Sequence, residues 1–196
     1  MGALWPRGLR HAGALKTGES RLPQARPERI LRAGAIELIS LPHISLATAV
    51  HARGIAEMSR EYIEYGLGWS WTQARVLKAI QDDSTNVAVI HERAAVVAFG
   101  IMRYGEERAH LVLLGVAAGH RKRGLGGLLL AWLEKCAVTA GLERVQLEAR
   151  ADNPDAMAFY VEQGYCRVGT VPGYYRGAVD AVRLEKRLWV PAGAAP

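Results

Sequence analysis

The stretch GHRKRGLGGLLL, Gly119 to Leu130, sets three consecutive cations among glycines and then turns abruptly apolar. From Leu125 onward Leu128, Leu129, Trp132, Leu133 and Cys136 recur at helical spacing, and Gly141 stands where a helix C-cap belongs. Just upstream, Ala109 to Val116 is almost wholly apolar and reads as a buried, central strand. A glycine-rich turn between a buried strand and a helix lets the backbone wrap an anion, with free N–H groups and the positive helix end pointing at it. That geometry suits a pyrophosphate. Taken alone, the pattern R-x-x-G-x-G is weak and fits a solvated turn ahead of a helix better.

Working outward, 196 residues suffice for one domain with a sizeable core. Half the residues are apolar and 22% are charged, which excludes disorder for most of the chain. The longest apolar run, Gly124 to Leu133, falls short of the ~18 residues a membrane span needs. The expectation is a soluble, cytoplasmic protein, with no membrane partner.

The formal charge of +6 is unevenly placed. Residues 1–32 hold seven of the 25 cations and two of the 19 anions, so the rest of the chain is nearly neutral. Residues 1–34 contain Pro6, Pro23 and Pro27 and no apolar periodicity, and are expected to be a disordered basic leader. Their Arg-rich composition matches a transit peptide, but no amphipathic face supports that reading. A flexible tail is expected over 191–196. A nucleic-acid site would need a longer basic stripe with interleaved aromatics, so no nucleic-acid partner is expected. Cys136 and Cys166 have no metal-ligand spacing; reduced thiols and no metal are expected.

Ala35 to Leu41 reads as a strand, and Ser45 as the N-cap of a helix running to about Tyr62. Ser70 or Thr72 caps a second helix through Ile80. Asn86 to Ile90, Ala94 to Arg103 and Ala109 to Val116 form an antiparallel meander. After the helix from Leu125 come a strand (Val145 to Arg150), a short helix (Asp155 to Gln163) and a closing hairpin (Tyr165 to Val171 with Ala181 to Leu188). The order is β-αα-βββ-α-β-α-ββ.

Downstream, LEARADNPDAMAFY (Leu147 to Tyr160) continues into Glu162-Gln-Gly-Tyr165. Together with Arg121 to Gly126, this resembles the GNAT superfamily of acetyl-CoA dependent N-acetyltransferases, over roughly residues 35–190. Within it the chain is most similar to enzymes that acetylate the N-terminal alanine of a ribosomal protein, which share the L-E-x-R-x-x-N-x-x-A-x-x-x-Y run and a Tyr-Tyr pair, here Tyr174-Tyr175. The resemblance implies an α/β (α+β) GNAT fold: a mixed sheet of about seven strands with about four helices packed on it.

It also implies roles. Acetyl-CoA would be the co-substrate, its pantetheine arm paired with the backbone of Leu114, Gly115 and Val116. Its pyrophosphate would lie on Lys122, Arg123, Gly124, Leu125, Gly126 and Gly127, with Asn153 as a further contact. Tyr160 matches the tyrosine that protonates the departing thiolate. A phenol of pKa ~10 can serve a thiol of pKa ~8.5 in that way, although a tyrosine on a short helix also serves as a core aromatic.

The amine must be neutral to attack, and Glu148 is the base best placed by strand alternation, which puts Gln146, Glu148 and Arg150 on one face. An ion pair between Glu148 and Arg150 or His110 is the alternative, and His110 is a rival base. For the acceptor, Glu61, Tyr65 and Trp69 fall in the junction between the first two helices, where acidic and aromatic groups suit a cationic amine. Tyr174 and Tyr175 complete that list. Trp69 and Trp71 also suit a structural role, anchoring the helix pair. The acceptor is expected to be a protein N-terminus or a small amine, and the enzyme a monomer or homodimer. An acyl-CoA-binding module without turnover is the alternative.

Overall fold

The computed structural model describes residues 42–188. The expected leader, the strand over 35–41 and the C-terminal tail lie outside these residues. Seven strands form a single sheet in the order β1-β2-β3-β4-β5-β7-β6. They are β1 (Ile44–Leu46), β2 (Thr85–Glu92), β3 (Ala95–Tyr104), β4 (Ala109–Val116), β5 (Arg144–Arg150), β6 (Cys166–Tyr175) and β7 (Val179–Arg187). Four α-helices accompany them: α1 (Ala52–Tyr62), α2 (Gln73–Ile80), α3 (Leu125–Thr139) and α4 (Pro154–Glu162). The expected mixed sheet and helix complement are both present.

One element departs from the sequence reading. Ser45 does not cap a helix; it lies in β1, opposite Val89 of β2. Pairing with an already formed strand outweighs the capping tendency of one serine. The chain then makes a 3-10 turn, Ala49–His51, before α1 begins. The second helix starts as its sequence requires, with the Thr72 side chain accepting from the Arg75 amide.

Apolar residues alternate along the central strands, and each face of the sheet is covered. Val87, Val89, Phe99, Ile101 and Leu113 pack with Ile55 of α1 and Val76 of α2. On the opposite face Ala88, Ala98, Met102, Leu111 and Leu147 pack with Leu129, Leu130 and Leu133 of α3. Each buried leucine there contributes roughly 2 kcal/mol by removal from water. The sheet is thus held between two helical layers, as a sheet apolar on both faces demands.

The functional consequence comes from the centre of the sheet. β4 and β5 run parallel and pair only from Ala109, His110 and Leu111 to Val145, Gln146 and Leu147. Next to the last pair, β4 carries a bulge: Ile101 of β3 faces Leu113 while Met102 faces Leu111, leaving Val112 unmatched. A bulge bends its strand and increases the local twist. Beyond it, Leu113 to Val116 stay paired with β3 and Glu148 to Arg150 stay paired with β7. The two strands part between them, so each has an unpaired backbone edge facing the gap.

Candidate active site

A cavity of about 450 Å³ opens at this parting of the strands. Leu111 to Leu114 of β4 and Glu148 to Arg150 of β5 form its walls, with Asn153 and Tyr160 at one side and the α1–α2 junction at another. Residues far apart in the chain converge here because the register of β4 on β5 sets His110 beside Gln146, two residues before Glu148.

Glu148 is held by three neighbouring side chains. His110 Nε2 lies 2.7 Å from its Oε2, while Gln146 Nε2 and Arg183 Nε each donate to Oε1 at 3.0 Å. Its side chain is only 6% exposed. The His110 contact, helped by Arg183 and Gln146 and opposed by burial, holds the carboxyl down at about 2. Glu148 therefore stays ionised at neutral pH. The ion pair weighed against its role as base is present, with His110 and Arg183 as partners; Arg150 instead pairs with Asp152.

Tyr160 projects from α4 into the cavity and is otherwise buried. Burial, reinforced by the neighbouring Tyr175, pushes its phenol well above the usual value. It stays protonated and available as a donor. Tyr175 is also pushed up, to about 12, mainly by burial, and its hydroxyl donates to the Glu148 carbonyl at 3.2 Å. Tyr174 stands beside it, ring centroids 5.0 Å apart, and both tyrosines line the cavity. Asn153 is the N-cap of α4: its Oδ1 accepts from the Ala156 amide at 3.0 Å, and the residue lines the cavity.

The loop quoted at the outset lies beyond the end of β4. Lys122 and Gly124 both adopt positive φ, 59° and 78°, and Gly124 is the N-cap of α3 without any side-chain cap. Alternating backbone hands of this kind turn successive N–H groups toward one point, and the first three amides of α3 have no acceptor within the helix. At Gly124 a side chain would be strained by the backbone conformation alone. Lys122 and Arg123 are exposed. Arg121 folds back, donating to the Val116 carbonyl at 3.2 Å and lying over the Tyr62 ring. Leu125 is buried, Gly127 lies near Gln163, and Gly126 sits against Phe159 and Val116. Of the β4 end, Leu114 reaches the cavity wall, whereas Gly115 and Val116 lie past it towards the loop.

The α1–α2 junction differs most from expectation in its geometry. Glu61 is exposed on α1, and Glu61, Tyr65 and Trp69 are not among the cavity walls. Glu64 takes the inward place. Both of its oxygens are consumed by the junction itself: Oε1 accepts from the Ser70 amide and hydroxyl at 2.8 and 2.5 Å, and Oε2 from the Trp71 amide at 3.0 Å and the Ser59 hydroxyl at 3.2 Å. Trp71 is buried in the core, while Trp69 is partly exposed and donates to the Trp71 carbonyl. Tyr65 is held by Arg150, which donates to its carbonyl at 2.8 Å and lies 4.4 Å from the ring centroid. Arg75 and Arg176, which sequence reasoning passed over, also face the cavity. Nothing local marks them; they meet the site only through the fold. Among the described residues there is no group of three or more His, Cys, Asp or Glu arranged to hold a metal, and no helix long and apolar enough to cross a membrane.

Residues 54–165, which span the parted strands and the glycine-led helix, match the Acetyltransferase (GNAT) family. The chain belongs to that family. It is 30% identical over 83 residues to N-alpha-acetyltransferase 30 of Xenopus laevis, a match covering 42% of this chain and 30% of that protein. It is 32% identical over 102 residues to an uncharacterised N-acetyltransferase of Methanocaldococcus jannaschii, covering 52% of this chain and 64% of that one. In both cases the chain spans less than two thirds of the relative's length. In structure it resembles the ribosomal-protein-S18-alanine N-acetyltransferase of Escherichia coli, with a TM-score of 0.67 at 19% identity over 80% of this chain and 99% of that one.

Proposed function

We propose that the chain transfers the acetyl group of acetyl-CoA to a primary amine, on a protein N-terminus or a small molecule, by direct attack on the thioester. The observation that carries this reading is the convergence of Tyr160, Glu148 and His110 on one cavity at the parted strands. Acetyl-CoA supplies the activated acetyl group. The unpaired β4 edge at Leu114, Gly115 and Val116 fits an extended arm lying alongside it, and the Lys122 to Gly127 loop fits the phosphates at its end. Asn153, already committed through its Oδ1 to the α4 cap, keeps its amide nitrogen for the same ligand.

The chemistry divides among three side chains. The amine nitrogen forms the new bond to the carbonyl carbon as the carbon–sulfur bond breaks, and the sulfur takes its proton from the Tyr160 hydroxyl. The proton lost by the amine passes to the His110–Glu148 pair, which acts as one acceptor because the two groups share a hydrogen bond. At pH 7 an α-amino group of pKa ~8 is ~10% neutral, so modest help suffices. Tyr174 and Tyr175 bound the acceptor side.

The direct test follows CoA release from acetyl-CoA across N-terminal peptides, lysine peptides, polyamines and amino acids. Amine-dependent release supports the enzyme. Saturable acetyl-CoA binding with no release on any amine would leave an acyl-CoA-binding module instead.

A further inference from the structure

The charge lining the acceptor side of the cavity is unbalanced. Its two inward carboxylates are fully engaged: Glu64 by four donors of the α1–α2 junction, and Glu148 by His110, Gln146 and Arg183. Arg150 is matched by Asp152, with bonds of 2.9 and 2.8 Å. Arg75 and Arg176 are not matched. Neither makes an ion pair among the described residues.

Both guanidiniums are nevertheless positioned. Arg75, in the first turn of α2, lies 4.3 Å from the Trp71 ring centroid, a stacking that holds the plane while leaving its N–H edge free. Arg176 sits at the β6–β7 turn with φ of 55°, an uncommon conformation for a residue with a side chain. Its guanidinium rests on the backbone of Gly68: a Cβ at that position would lie 2.0 Å from Nη1. A side chain at Gly68 would push the guanidinium away from this position. A planar cation so held, with its donors unspent and a cavity in front of it, is suited to a carboxylate.

We infer that the accepted amine carries a carboxylate on the same molecule, read by Arg176 and Arg75. The inference rests on the acetyltransferase reading above. The carboxylate belongs either to an acidic side chain near a protein N-terminus or to a free amino acid.

The test compares CoA release from acetyl-CoA on amidated peptides identical except for Glu, Gln or Lys at the second position, together with free amino acids. The Glu peptide is expected to exceed the Gln peptide by about 10-fold in kcat/KM, as one charge-assisted contact provides, with Lys lowest and the ratio shrinking as salt is added. Free amino acids outperforming every peptide would support the same carboxylate and assign it to the small molecule. Arg176→Gln and Arg75→Gln should each bring the Glu to Gln ratio toward one, mainly through KM. Equal rates on the Glu, Gln and Lys peptides, with free amino acids inert, would overturn the inference and leave the enzyme standing. Release on no amine at all would remove both.

Discussion

Glu148 Oε2 and His110 Nε2 face each other at 2.7 Å across the short parallel junction of β4 and β5, at the last point before the strands part. Arg183 holds the other carboxylate oxygen from β7. A carboxylate kept ionised by two cationic or protonatable neighbours is a weak base by itself. Linked to an imidazole, it fixes the orientation of that ring in the cavity.

Activity should therefore respond to the pair rather than to either member. Glu148→Gln and His110→Ala should each lower turnover at pH 7, and the deficit should shrink as pH rises through the acceptor's pKa, because a base matters less to an amine already neutral. A pH–rate profile on one amine checks this. A loss of constant size from pH 6 to 9 would remove the pair from the proton path.

The same carboxylate links stability to pH. Its folded pKa, about 2, lies below the ordinary 4.5, so its contribution is fully present above pH ~4.5 and is lost as pH falls toward 2. Melting temperatures measured from pH 6 down to 2.5 should fall for the parent protein, and less steeply for Glu148→Gln. Identical slopes would show that other carboxylates dominate acid unfolding.

Tyr160→Phe removes one hydroxyl that makes no hydrogen bond to any described residue, and keeps a ring packed edge-on against Phe159 and Tyr165. Folding and acetyl-CoA affinity should persist while turnover falls ~10²-fold or more. Calorimetric titration beside a steady-state assay separates the two. Near-full activity in a variant that binds normally would exclude the phenol as proton donor.

Gly124→Ala forces a side chain into a left-handed backbone, at a cost of about 1–2 kcal/mol, or a melting-point loss of several degrees. Acetyl-CoA affinity should fall further than stability does, since the same conformation aims the loop amides. Thermal shift with and without acetyl-CoA reads both at once. An unaltered ligand-induced shift would return the loop to the role of an ordinary turn. The substitution avoids Gly126, where a larger side chain would press on Phe159 and confuse packing with binding.

Arg150 fastens the α1–α2 junction to the end of β5 through the Tyr65 carbonyl, and its side chain is only 9% exposed. Arg150→Ala should cost about 1–3 kcal/mol and raise amide exchange over residues 63–70 relative to the rest of the chain. Exchange that rises uniformly would point to global destabilisation instead.

Much of this was readable in the chain. β4 was bounded correctly, and α3 was marked by leucines at helical spacing with Gly141 beyond its end, because both carry strong local periodicity. β1 was not: three residues ending in the exposed Leu46 leave no alternation to detect, and their pairing with β2 outweighed the cap signal of Ser45. His110 and Glu148 could each be singled out and their ion pair named, but choosing His110 over Arg150 as the partner depends on a strand register that joins residues 38 apart. Arg176 on Gly68 lies further from any local rule, since it requires the hairpin and the helix junction to meet.

The parted strands have a consequence for solubility as well as for chemistry. An unpaired strand edge normally invites another protein's strand to add to it, and exposed edges are where sheets aggregate. Here the edge of β4 from Leu113 to Val116 runs inside the sheet, with β5 still covalently and laterally anchored a few residues away. A second polypeptide strand, with side chains alternating to both faces, would have to displace the neighbouring walls to enter. A single thin chain would not. The fold offers a row of backbone hydrogen-bonding groups to slender visitors while denying it to its own kind.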